Sequence, residues 1–302
     1  MKTRTITAII LIALTVPFLA LGGFWTVAFV CAMVIGGVLE VLRVRGTRWP
    51  LAIYIIAIAG TLGSLLWVFI TYLVSNPQGF LELFTNQEAF LDFQSHYMIR
   101  TNTVYIGIFL AALLLAETVS SRFNVSDVFY IFTLSLLLSI AGQGLIFLRF
   151  NSLNAICYIF VANYACDTFA LLSGKFFGKH KLAPLTSPKK TWEGAIGGVL
   201  MSTILSFVFY LIFPFNIPNI SGWVVYLVVF IFSLVLGICA VIGDLIFSSI
   251  KRHFGIKDFG AIFPGHGGIL DRVDSLLFNI IVFIGLYAIA TGGKLFLLWE
   301  IY

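Results

Sequence analysis

The chain has 302 residues, of which 60% are hydrophobic and only 10% charged, with a formal net charge of +5 and a mean hydropathy of +1.06. A water-soluble domain carries about 25% charged residues, so this chain lacks the polar surface of a soluble fold and reads as an integral membrane protein, with no nucleic-acid partner expected. Its four cysteines, Cys31, Cys157, Cys166 and Cys239, lie singly in apolar segments, which excludes a disulfide or CxxC metal framework.

The amino terminus starts basic, with Lys2 and Arg4, and runs into apolar sequence with no clear small-x-small cleavage site after it. It reads as a retained first helix rather than a leader. A helix needs about 20 apolar residues to cross the hydrocarbon core. About nine stretches qualify, near 5–21, 24–42, 50–74, 103–117, 128–148, 153–173, 194–213, 222–247 and 275–292. No alternating strand pattern appears, and open sheet does not survive in lipid, so the expected class is an all-α membrane protein. Residues 1–150 read as a scaffold of helices and 151–302 as the part with a cytoplasm-facing polar site.

With the amino terminus in the cytoplasm, the inner segments hold 15 of the 18 Lys and Arg residues, and only Arg100, Arg149 and Lys294 remain outside. Nine spans then leave the carboxyl terminus outside. The 75–102 segment is the one long external loop. It mixes Leu81, Leu83, Phe84, Phe90 and Phe93 with Glu82, Glu88 and Asp92, a pattern that suits a helix at the interface and reads most plainly as a packed cap with no chemistry. Glu40 and Glu117, at inner span ends, are expected to partner nearby arginines such as Arg43 and Arg122.

Asp167 is an intramembrane acid in the sixth span. It suits either a substrate role or an internal salt bridge, for example to Lys175. Ser187-Pro188-Lys189-Lys190-Thr191-Trp192-Glu193-Gly194 leads into the seventh span. Ser187 as N-cap and Pro188 at the first helical position would put Lys189 and Lys190 in the first turn. Cations are disfavoured there unless an anion is bound by the N–H groups, the ammonium groups and the hydroxyls. The competing reading is a basic anchor at the inner face. Asp244 lies in the eighth span near its inner end, flanked by apolar residues and by Gly243. An acid there is a functional candidate by default, and an ion pair with Lys251 or Arg252 is the alternative.

The densest charge lies in Ser248–Asp274, which holds Lys251, Arg252, His253, Lys257, His266 and Arg272 with Asp258, Asp271 and Asp274. His253 reads as a surface residue. Pro264-Gly265-His266-Gly267-Gly268 is a turn whose N–H groups and histidine suit phosphate oxygens. Asp271 and Asp274, three residues apart on a helix, share a face. Two carboxylates that close repel unless a cation sits between them or one protonates, and hard oxygens with phosphates suit Mg2+. Packing of the last two spans would let Asp244 join them as a third ligand. The competing reading is that both acids complement the positive end of the last helix. No GxxxxGK[ST], HExxH or GxSxG pattern occurs, and no internal repeat of the transporter kind.

The run Ser248-x-Ile250-Lys251-Arg252, then Lys257-Asp258-x-Gly260, then Phe263-Pro264-x-His266-Gly267-Gly268-Ile269-x-Asp271-Arg272-Val273-Asp274 resembles the signature of the phosphatidate cytidylyltransferase (CDP-diacylglycerol synthase) family. The Ser187–Gly194 run resembles that family's SPKKTWEG element. The resemblance covers about 160–275. It implies a nucleotidyltransferase that turns CTP and phosphatidate into CDP-diacylglycerol and pyrophosphate for phospholipid biosynthesis. It also implies a helical membrane fold of about nine spans, a homodimer, Mg2+ with a second, monovalent cation as a further expectation, and a site on the cytoplasmic face of a bacterial inner membrane. By position, Asp244, Asp271 and Asp274 would carry the metal and phosphate chemistry, with Lys251, Arg252, Lys257, Asp258, His266 and Arg272 in the same polar cavity. Asp167, Ser187, Lys189, Lys190, Thr191, Gly267 and Gly268 would meet substrate. The rival readings are another CTP-dependent lipid enzyme of the polyprenol kinase kind and an ion-coupled transporter.

Overall fold

The computed structural model describes residues 13, 15–46, 49–97, 99, 102–218, 220–263 and 267–291. Six of its helices are long and apolar enough to cross a membrane, and a bent pair makes a seventh if counted as one span. The protein is therefore a multi-pass, helical membrane protein. Residues 5–12 of the first expected span lie outside the described residues, as do Lys2, Arg4, Arg48, Arg100 and Lys294 and the chain end after 291.

The chain divides into two units. The first contains α1 (Gly23–Arg43), α2 (Leu51–Leu65), α3 (Trp67–Ser75), α4 (Pro77–Thr85), α5 (Gln87–His96), α6 (Thr103–Val119) and α7 (Val125–Asn151), together with the segment Phe259–Leu270. α7 packs on α1 and α2, and α6 on α2. Lipid gives little hydrophobic drive between helices, so polar contacts and close packing hold them. Ser139 Oγ lies 3.2 Å from Ser64 Oγ, and Gln143 Nε2 donates to Ser64 O. Arg45 pairs with Asp127 at the start of α7. Arg149 donates to the carbonyls of Leu19 and Ala20, which end the helical residues 15–21.

The stretch 50–74 is not the single straight span expected. It breaks at Leu66, and the two helices bend by 70°. Leu66 leaves helical geometry with φ −94° and ψ 13°. Two turns earlier, the Tyr105 hydroxyl donates to Ala59 O at 2.8 Å, and it would touch any Cβ on Gly63, one turn before the break. A side chain intruding on the backbone ladder is a recognised cause of kinks. The 75–102 loop folds as two short helices, α4 and α5. Asn76 and Asn86 cap them by accepting from Gly79 N and Glu88 N.

The second unit contains α8 (Leu153–Phe177), β1 (Lys181–Ala183), β2 (Ser187–Thr191), α9 (Trp192–Ile212), α10 (Val224–His253) and the remainder of α11 (Leu270–Ala290). α8 and α9 pack through glycines spaced four apart. A Cβ on Gly194 would lie 2.7 Å from Ala170 O, and one on Gly198 would lie 2.7 Å from Cys166 O. Such small-xxx-small faces allow backbone-to-backbone contact in lipid. Gly198→Val is therefore expected to destabilise the protein by about 2 kcal/mol, read as a lower denaturation midpoint in detergent. An unchanged midpoint would show that the two helices separate freely here. A buried aromatic group of Tyr158, Phe215, Phe232 and Phe283 fills the far end of the unit. None of the four cysteines is in a disulfide.

The two strands form an antiparallel hairpin with Lys181 opposite Thr191 and Ala183 opposite Ser187. This corrects the expected placement of Ser187, Pro188, Lys189 and Lys190 on a helix start. These residues are extended, and the helix begins at Trp192. Thr191, at φ −125° and ψ 155°, is the N-cap, its hydroxyl accepting from Gly194 N at 3.2 Å. Pro188 disfavours helical geometry in the residue before it, and pairing with β1 holds the rest extended.

Candidate active site

Four of the acids that the sequence singled out, Asp167, Asp244, Asp271 and Asp274, come from three helices of the second unit, and the last three each pair with a lysine. Asp271 opens α11, with its side chain only 3% exposed, and accepts from Lys251 Nζ of α10 at 2.9 Å. The same ammonium lies 3.8 Å from Asp274. One lysine thus sits between the two carboxylates, which is the first of the two ways the i, i+3 spacing left to relieve their repulsion. Asp274 also accepts from its own Ser275 N at 2.8 Å.

Asp244 pairs with Lys190 of the hairpin, Nζ to Oδ2 at 2.5 Å, and accepts from Ser248 Oγ at 3.3 Å. Neither expected partner, Lys251 or Arg252, takes it. Those residues follow it on the same helix, whereas β2 runs alongside and brings Lys190 within reach. Gly243 lets α10 and α11 meet, since a Cβ there would lie 3.1 Å from Ser275 Cα and 3.0 Å from Phe278. The acids next to this contact, Asp244 and Asp274, are electrostatic neighbours as a result. Asp167 of α8 is exposed and lies within the fields of Asp244, Asp274, Lys190 and Arg272. Lys175 is not among these neighbours.

Four carboxylates, Asp167, Asp244, Asp271 and Asp274, are thereby gathered with Lys190, Lys251 and Arg272. With the lysines as counter-charges, no three acids close around one point: among the described residues no group of three His, Cys, Asp or Glu side chains is set to hold a metal ion. The donors nevertheless fit a hard divalent ion in kind, because they are carboxylate oxygens that outnumber the local cations.

Arg252 is exposed and donates to Thr186 O at 3.3 Å and Ile256 O at 2.9 Å, which ties the hairpin turn to the end of α10. Lys189, Lys257 and Asp258 are exposed, Ser187 is half-buried, and Thr191 is buried as a helix cap. His266 lies outside the described residues. Gly267, at φ +83°, and Gly268 belong to the first unit. There Glu40 does not pair with Arg43 as expected; its carboxylate accepts from Ile269 N and Leu270 N.

Three buried polar residues escaped sequence reasoning. Asn163 donates to Ser275 Oγ at 3.1 Å, and Asn279 donates to Asn163 Oδ1 at 3.0 Å. Asn163 is one helical turn from Asp167, and Ser275 follows Asp274, so this ladder braces two of the acids from behind. The available signal was two amides inside apolar spans, where polar groups are costly. Glu193 was also missed: it accepts from Lys179 N at 3.1 Å and pairs with His180 Nδ1 at 2.6 Å, which fixes the start of the hairpin. A groove of about 820 Å3 in the first unit, lined by residues such as Trp49, Ile53, Leu115, Val119 and Arg122, includes none of the candidate residues.

The second unit thus gathers four carboxylates, two lysines and an arginine on the helices and hairpin of a multi-pass membrane protein. Residues 2–290 match the cytidylyltransferase family, and the chain belongs to that family. It is similar to the phosphatidate cytidylyltransferase of Staphylococcus haemolyticus (strain JCSC1435), with 34% identity over 92% of this chain and 95% of the relative. It is also similar to the enzymes of that name from Staphylococcus saprophyticus and Staphylococcus aureus (strain COL), each 33% identical with the same coverage.

Proposed function

We propose that this protein is a phosphatidate cytidylyltransferase that transfers the cytidylyl group of CTP to phosphatidate, releasing pyrophosphate and forming CDP-diacylglycerol for phospholipid synthesis. The observation that carries this reading is the family match across nearly the whole chain, with relatives of that name over 92% of it. The acids and lysines of the second unit supply the chemistry it requires.

The lipid phosphate monoester has a second pKa near ~6 and is largely a dianion at neutral pH. One of its oxygens attacks the α-phosphorus of CTP, the bond to the β-phosphate breaks, and pyrophosphate leaves. No general base is needed, so His266 serves as a phosphate contact. Lys190 and Lys251, now on carboxylates, turn to the triphosphate and the lipid phosphate, aided by Arg272, with Lys189 and the hydroxyls of Ser187 and Thr191 near the nucleotide. Asp244, Asp271 and Asp274 would hold Mg2+, with Asp167 close by. Bound there, the ion supplies charge neutralisation for the triphosphate and the leaving group. Catalysis by the chain itself is then positioning and electrostatics.

The Lys and Arg distribution supports nine spans, with the amino terminus and the site in the cytoplasm and the carboxyl terminus outside, and the bacterial relatives support an inner membrane. Residues 1–150 act as scaffold and 151–302 as the catalytic part, and the protein works as a homodimer. The test uses purified protein, phosphatidate and Mg2+ with CTP labelled at the α or γ position. The expected result is α label in lipid, γ label in pyrophosphate, and no transfer in excess EDTA. Entry of γ label into lipid would replace this reading with a lipid kinase.

A further inference from the structure

Glu40 lies near the carboxyl end of α1 and is 1% exposed. Its two oxygens are divided between successive amides, with Oε1 accepting from Ile269 N at 2.8 Å and Oε2 from Leu270 N at 2.9 Å. The segment on the other side of the turn reaches the same carboxylate. A Cβ on Gly260 would lie 2.4 Å from Glu40 Oε1, and one on Gly268 would lie 2.3 Å away. Both positions therefore exclude any side chain while the glutamate is in place. One turn back on α1, a Cβ on Gly36 would meet Ile269 Cδ1 at 2.2 Å, so the helix face is shaped to the loop. Between the two stems, Phe263 N donates to Gly267 O at 2.9 Å and closes the turn.

A buried carboxylate is costly unless its oxygens are satisfied. Charge-assisted bonds from two backbone amides meet that need, and the arrangement forces the loop into one register. The loop runs directly into Asp271.

We propose that Glu40 is a positioning residue for the transfer reaction: its carboxylate ties the Ile269–Leu270 stem of the Phe259–Leu270 loop to α1, packs against Gly260 of the other stem, and so fixes the backbone that enters the Asp271–Asp274 turn. This rests on the function proposed above. It assigns that function a determinant in the amino-terminal half, more than 200 residues before the signature run.

The experiment compares full-length wild type with Glu40→Gln in detergent, by hydrogen exchange of peptides covering 259–270 and by steady-state kinetics. Glutamine keeps the volume but places an amide NH2 where an acceptor is needed. Exchange in 259–270 is expected to rise roughly tenfold, and kcat to fall about 10–100-fold, with KM for CTP and phosphatidate within about twofold of wild type. Gly260→Ala, which crowds the same oxygen from the opposite side, should reproduce both effects and decides the matter if Glu40→Gln fails to fold. Gly285→Ala, where a Cβ meets open space, serves as the control. Wild-type kcat in a folded Glu40→Gln, or unchanged exchange in 259–270, would overturn the proposal. Raised exchange in Glu40→Gln beside a wild type that transfers no cytidylyl group would instead sink the proposed reaction and leave the loop anchor standing.

Discussion

Asp271→Asn is expected to lower turnover by at least about 100-fold while the protein still inserts and keeps its helical content. The side chain is nearly fully buried and holds Lys251 at 2.9 Å. Asparagine fills the same space, so packing is preserved, but it removes a charge from a cluster proposed to hold a divalent ion and two sets of phosphates. The loss should fall on kcat, because the group is proposed to act where charge develops during pyrophosphate departure. The check is the α-label assay on monodisperse protein whose circular dichroism matches wild type. Normal turnover in such a preparation would remove Asp271 from the machinery and shift attention to Asp167 and Asp244.

Lys251→Met tests the same pair from the other side and should have the largest effect on stability. Removing one partner of a buried ion pair leaves an uncompensated charge, which costs about 3 kcal/mol. Here two carboxylates lose their shared cation, since Lys251 also lies 3.8 Å from Asp274. A lowered denaturation midpoint is expected, and adding Asp271→Asn should recover part of the loss, a non-additivity of about 1–2 kcal/mol. Mg2+ should raise the midpoint of Lys251→Met more than that of wild type, because the ion would replace the missing charge. Additive single effects would mean that the lysine and the aspartate do not depend on each other.

The spans were legible because hydropathy is a sum over local residues: Val125–Asn151 and Leu153–Phe177 extend the expected stretches by three or four residues at an end, and Val224–His253 begins two residues later than expected and ends six later. The break at Leu66 was not legible, because it arises beside a hydroxyl from Tyr105 on another helix. The hairpin at Lys181–Thr191 was misread since Ser-Pro before an apolar run is also a good helix start. Local chemistry favours both, and pairing with a distant segment decided between them. The candidate acids were visible as charges in an apolar setting, but their partners were not. Asp244 offered Lys251 and Arg252 along its own helix, and the fold gave it Lys190.

By itself, then, the sequence determined a helical membrane protein, the residues proposed to carry phosphate chemistry, and a resemblance to the family the chain belongs to. Only the tertiary structure decided which lysine faces which acid, that α8 and α9 meet through Gly194 and Gly198, and that Glu40 serves the loop before Asp271 instead of Arg43. The physical reason is range. Insertion into lipid depends on segment composition, which is written locally. Ion pairs and buried hydrogen bonds depend on which segments approach, and in this chain those are separated by as many as 230 residues.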